Sequence, residues 1–177
     1  MAEPTLPAIL DVEASGFGAD GYPIEVGVAL RAGERHSLLV RPEPGWTHWD
    51  EAAERVHRIP RAVLEAHGRA VTEVAARLNS LLAGKTLYSD AWVLDKPWLV
   101  MLFHAAGTQM RFGLSPIEAI LSEARMALWD EVKRAVVAEL AVERHRASHD
   151  AWVVQETFLR VRELAAAREG ETRGAGA

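Results

Sequence analysis

The chain has 177 residues, a net charge of −5, 49% hydrophobic residues and no cysteine. That length supports one domain with a real core, and the lack of cysteine excludes disulfides and thiolate metal sites, so any metal must be held by carboxylates or imidazoles. The acidic balance excludes a protein that coats nucleic acid through a broad positive surface, though it leaves room for a local nucleic-acid site. No apolar run is long enough to span a bilayer. The start MAEPTLPAILDVE is acidic rather than basic and does not read as a signal peptide. The expectation is a cytoplasmic protein with no membrane partner.

In chain order, PAILDVEAS reads as a short buried strand that ends in acids. GYPIEVGVALRAG follows a glycine-rich turn as a second strand, and RHSLLVRPEP is a third, closed by prolines. Together they form an antiparallel meander. Two short helical pieces, 50–56 and 60–66, follow. The apolar spacing of Val71, Val74, Ala75, Leu78, Leu81 and Leu82 predicts a helix that stops at Gly84. KTLYSD is a fourth strand. DKPWLVMLFHAAG is a helix with Asp95 as its N-cap and Pro97 in its first turn. MRFGL is a fifth strand, 116–140 is largely helical, and 147–168 is a final amphipathic helix. Strands interleaved with helices predict an α/β fold built on a mixed five-stranded sheet, with PAILDVE at its centre. One domain spans 1–168, and 169–177 is a disordered tail.

Asp11 and Glu13 lie two apart on a strand, so their side chains share a face. Two adjacent carboxylates repel unless a cation lies between them, and hard oxygen ligands suit magnesium or manganese. The plainer reading is a polar strand end. Asp95 suits an ordinary N-cap, and Asp90 competes with it for any functional role. His145 precedes the last helix and Asp150 sits in that helix's first turn, where the positive dipole end tolerates an acid. His149 is a neighbour that could be confused with His145. Trp98 and Trp152 read as core residues. Trp46, His48 and Trp49 could form a surface loop that touches a ligand.

Asp-x-Glu on the first strand, an Asp opening a mid-chain helix and His-x4-Asp near the C-terminal end resemble the three motifs of the DEDDh 3′–5′ exonucleases. ILDVEASGFG, PIEVGVAL and HRASHDAW are each similar to stretches of that family. So is the segment 51–84, and the resemblance runs from Ala8 to Arg162. There are departures. Ala14 and Ser15 stand where the family has Thr-Thr. Ala91 and Leu94 replace an Asn and an aromatic near the second motif, and His57-Arg58-Ile59 replaces a His-Gly-Ile turn taken as structural.

The resemblance implies an RNase H-like fold. It also implies two divalent ions, Mg²⁺ or Mn²⁺, held by Asp11, Glu13, Asp95 and Asp150, with His145 as general base. A histidine suits that task because its ordinary pKa of about 6.5 lies near working pH. Ala14, Ser15 and Phe17 would meet the terminal nucleotide of a single-stranded RNA or DNA 3′ end, with Phe17 stacking on its base or packing the turn. Nucleoside 5′-monophosphates would be released. Some relatives are dimers, so a homodimer is compatible with the resemblance. A binding module on the same fold and an RNase H-like endonuclease are the alternatives.

Overall fold

A computed structural model describes residues 6–31 and 33–174, with side chains through residue 168. Its centre is β1, Ala8–Ala14. Alternation sends Leu10 and Val12 to one face of the strand and Ile9 to the other, with Asp11 and Glu13 following Ile9. β2 (Pro23–Ala29) pairs antiparallel with β1, and β3 (Arg35–Leu39) pairs antiparallel with β2. β4 (Thr86–Ser89) and β5 (Gly113–Pro116) extend the other side in parallel, giving the order β3-β2-β1-β4-β5. The mixed five-stranded sheet and the central place of β1 are as the sequence predicts.

Helices cover both faces. α1 (Glu51–His57) starts at Asp50, whose carboxylate accepts the Ala52 N–H at 2.7 Å, and ends at Arg58 in the left-handed region. α2 (Arg61–His67) follows. α3 (Val71–Leu82) and α4 (Trp92–Ala105) bury Val74, Leu78, Leu99 and Leu102 against Leu10, Val12, Val26 and Val28. A 3₁₀ turn (Ile117–Ile120) leads to α5 (Glu123–Leu140), which packs along α6 (Ala147–Gly174). α6 lays Ala151, Val154 and Phe158 over Ile9, Ala29 and Tyr88 on the opposite face. The expected tail, 169–177, falls outside the residues whose side chains are described; helical backbone continues to Gly174.

Two local differences from the sequence reading matter. α4 begins three residues before Asp95, because Trp92 is half-buried against the core and its Nε1 donates to the Leu114 carbonyl at 2.9 Å. Asp95 is therefore a first-turn residue, not the N-cap. Gly27 on β2 is where the start of α6 meets the sheet. A Cβ there would lie 2.0 Å from the Ala147 backbone carbon, so only glycine permits this approach.

Candidate active site

The pairing of β1 with β4 stops at Ile9–Tyr88, leaving the Val12 N–H without a sheet partner on that side. Asp95 takes it, accepting from Val12 at 3.2 Å, while the Ser89 hydroxyl donates to the other Asp95 oxygen. Asp95 is 1% exposed and is thereby fixed beside Asp11 and Glu13. Asp90 is placed elsewhere, in an ion pair with Lys133 of α5.

The other half of the site is set by a buried strut. Glu25 stands opposite Glu13 on β2 and has no exposure. It accepts from Arg146 at 2.9 and 3.1 Å, from the Ala147 N–H at 3.0 Å and from the Ser37 hydroxyl at 2.5 Å. Burial alone would raise the pKa of Glu25, but these donors outweigh it and hold the pKa below the usual value. Arg146 and Ala147 directly follow His145, so the strut pins the loop that presents His145 and the helix start that presents Asp150. Asp150 is buried, accepting from Arg144 Nε at 2.5 Å and from the His145 backbone N–H at 3.0 Å. His145 has a left-handed backbone, φ 61°. The alternative histidine, His149, bonds the Glu143 carbonyl instead.

Asp11, Glu13, Asp95, His145 and Asp150 all line one cavity of about 390 Å³. Ligand atoms of Glu13, His145 and Asp150 lie within 4.8 Å of one another. Asp11 and Asp95 do not join that group at this spacing. Ala14 and Phe17 also line the cavity, and Phe17 is 73% exposed. Ser15 is not brought to it: the side chain is fully buried, its hydroxyl accepts the Tyr22 N–H at 3.1 Å and it bonds His48 Nδ1 at 3.3 Å.

The tryptophans divide differently from the sequence reading. Trp98 packs half-buried against the core, as expected, and also lines the cavity, 6.5 Å from Phe17 between ring centres. Trp46 stacks on Tyr22, and Trp49 meets His57 edge-on. With His48 on Ser15, these loop residues pack inward rather than forming a ligand surface. Glu25, Ser89, Arg144 and Arg146 complete the site and were not singled out from sequence.

The electrostatics follow from placing four acids around one space. Burial first, then Asp95, Glu13 and Asp150, push Asp11 well above the usual carboxylate range. Burial, then Asp150, Glu25 and Asp95, raise Glu13 to about 7, with Arg144 opposing. Burial raises Asp95 to about 7 against the bonds from Ser89 and Val12. Such a cluster resists ionisation until a cation neutralises it. Its donors are hard oxygens with one imidazole, a set that fits Mg²⁺ or Mn²⁺.

No protein-family model matches the sequence, and no curated protein does. Solved structures match the fold. The complex of E. coli exonuclease I with a dA16 oligonucleotide superposes with a TM-score of 0.69 at 15% identity, over 90% of this chain and 41% of that one. A moderately thermophilic exonuclease I from Methylocaldum szegediense gives 0.70 at 14% identity, over 88% and 40%. The zinc-bound form of the E. coli enzyme with single-stranded DNA gives 0.63 at 13%, over 90% and 41%. The chain thus has the RNase H-like exonuclease fold and spans about two fifths of the length of these structures.

Proposed function

We propose that the chain is a metal-dependent 3′–5′ exonuclease of the DEDDh type, acting on single-stranded or short nucleic acid and releasing nucleoside 5′-monophosphates. One observation carries this reading. Five residues from β1, α4, the loop before α6 and α6 itself converge on one cavity, in a fold shared with exonuclease I.

Asp11, Glu13, Asp95 and Asp150 are the residues that would hold two Mg²⁺ or Mn²⁺ ions. Bound there, the ions would acidify the attacking water and neutralise the leaving 3′ oxygen. His145, exposed at the cavity, takes the proton from that water as general base. The Glu25–Arg146 strut fixes the backbone on which His145 rides. Phe17 and Trp98 offer aromatic faces at the cavity wall, and stacking on them tolerates any base. Val56, Ala52 and Ala53 on α1 complete that wall with apolar surface.

The test uses 5′-labelled single-stranded RNA and DNA oligonucleotides with Mg²⁺ or Mn²⁺. The expected result is a ladder shortening from the 3′ end, abolished by EDTA and by Asp95→Asn or Asp150→Ala. A folded, metal-binding protein that digests neither substrate would overturn the nuclease reading and favour a nucleic-acid-binding module. Cleavage of a circular substrate would favour an endonuclease.

A further inference from the structure

Three cations stand close to the acids of the candidate active site, and each has its own carboxylate partner. Arg146 is bonded twice to the fully buried Glu25. Lys133 reaches from α5 to Asp90. Arg144 differs: its Nε donates at 2.5 Å to Oδ1 of Asp150, a carboxylate of the cavity wall. Its charge is also felt at Glu13, where it opposes the rise in pKa. Glu25 and Asp90 have no part in the proposed metal site, so Arg146 and Lys133 keep their partners when that site fills.

Arg144 cannot. The second Asp150 oxygen accepts the His145 backbone N–H at 3.0 Å. A divalent ion bound by Asp150 therefore shares an oxygen with one of these two donors. The backbone N–H is fixed, because Arg146 and Ala147 tie its segment to Glu25. The guanidinium is the movable donor, on a long side chain that is 34% exposed. It cannot shed its proton, so like charge drives it off.

We infer that Arg144 is a phosphate-binding residue: a metal ion on Asp150 turns the guanidinium off that carboxylate, and the freed group grips the phosphate of a nucleotide seated in the cavity. The identity of the ligand rests on the exonuclease reading. Once cations neutralise the four acids, those carboxylates lose their hold on a guanidinium, and the phosphate is the acceptor that the cavity gains. A guanidinium presents a rigid fork of N–H donors that matches two phosphate oxygens. Its place in the chain suits the contact, directly before His145, which lines the same cavity. The grip forms only after metal has loaded, so metal and nucleotide bind in that order.

The signature is a pair of opposite effects. Arg144→Gln removes the charge, and Arg144→Lys keeps the charge but loses the fork. Calorimetry on the full chain measures Mn²⁺ alone and then, at saturating Mn²⁺, adenosine 5′-monophosphate and adenosine. Melting curves check folding. Arg144→Gln should bind Mn²⁺ about fivefold tighter and adenosine 5′-monophosphate about tenfold more weakly, with adenosine unchanged. Arg144→Lys should fall between wild type and Arg144→Gln for both Mn²⁺ and the nucleotide. Tighter Mn²⁺ with unchanged nucleotide binding would overturn the phosphate contact, and so would a loss shared equally by adenosine. Weaker binding of both metal and nucleotide would make Arg144 a mere prop for Asp150 and sink the inference.

Should the variants unfold, the wild-type Arg144 Nε–H resonance decides the matter. It should be protected from solvent exchange in EDTA, exposed with saturating Mg²⁺ and protected again when adenosine 5′-monophosphate is added. A resonance that ignores either addition would refute the exchange of partners. The two readings fail separately. A protein that digests nothing yet shows the opposite effects keeps the phosphate contact and loses the nuclease reading. One that digests 3′ ends, with nucleotide affinity unchanged in Arg144→Gln, does the reverse.

Discussion

Metal-free protein should lose stability as pH rises from 5 to 7, the reverse of what ordinary carboxylates produce. Glu13 and Asp95 titrate near 7 in the fold but near their usual values of 4.5 and 3.8 when unfolded. Between those limits the folded state holds protons that the unfolded state has released. Stability therefore falls with rising pH, by at most about 1.4 kcal/mol per pH unit for each group. Over two units one group contributes up to about 3 kcal/mol, or roughly 6–12 °C in melting temperature for a chain of this size. The two share one field, so their effects will not simply add.

Three other groups bear on the slope. Asp11, pushed well above the usual carboxylate range, steepens it. His57, depressed by burial, gains stability as pH rises towards 6.5 and so works against it. Glu25, held low, loses its contribution only below its unfolded value of 4.5, outside the window. The assay is thermal melting in EDTA at pH 5, 6 and 7 for wild type, Glu13→Gln and Asp95→Asn. Each variant should flatten part of the slope. Saturating Mn²⁺ should restore stability, more at pH 7 than at pH 5, because the cation favours the ionised acids. A wild-type melting temperature that is flat or rises over this range, with the variants parallel to it, would refute the electrostatic account.

Other outcomes follow from the geometry. Gly27→Ala forces a Cβ into the Ala147 backbone and should destabilise by about 1–3 kcal/mol while displacing Asp150, seen as a lower melting temperature and weakened Mn²⁺ binding. Glu25→Gln leaves Arg146 without its ion pair; because Arg146 is about a third exposed, the loss should sit near the low end of the range for buried pairs, about 3 kcal/mol by denaturant titration. Arg144→Gln frees Asp150 from a partly exposed pair worth up to about 1 kcal/mol, so Mn²⁺ should bind about fivefold tighter by calorimetry. Trp98→Ala should raise KM for oligonucleotides by about tenfold with little change in kcat, reflecting lost stacking of about 1–3 kcal/mol.

The sequence was most informative where one periodicity governed a whole segment. The apolar spacing from Val71 to Leu82 defined α3 to the residue, because packing on the sheet and the left-handed stop at Gly84 set its limits. β1 was legible for the same reason. α4 was not: its start depends on where Trp92 seats and on Asp95 turning to a strand N–H, contacts between residues 22 and 83 apart in the chain. Glu25 hid inside an apolar strand. The available signal was an acid where the pattern calls for a hydrophobe, with Arg146 far downstream to match it. The loop 46–49 misled because its aromatics were read as exposed, whereas Tyr22, Ser15 and His57 each supply a partner.

The seating of α6 on Gly27 has a consequence for how the protein is made. Asp11 and Glu13 are synthesised well before Asp150, which arrives only with α6. That helix also covers Ile9, Ala29 and Tyr88, so the acids on β1 meet their distant partner at the step that closes the second face of the sheet. A nascent chain that lacks α6 thus carries only part of the centre. Any reaction in this cavity begins only when synthesis of the domain is nearly complete.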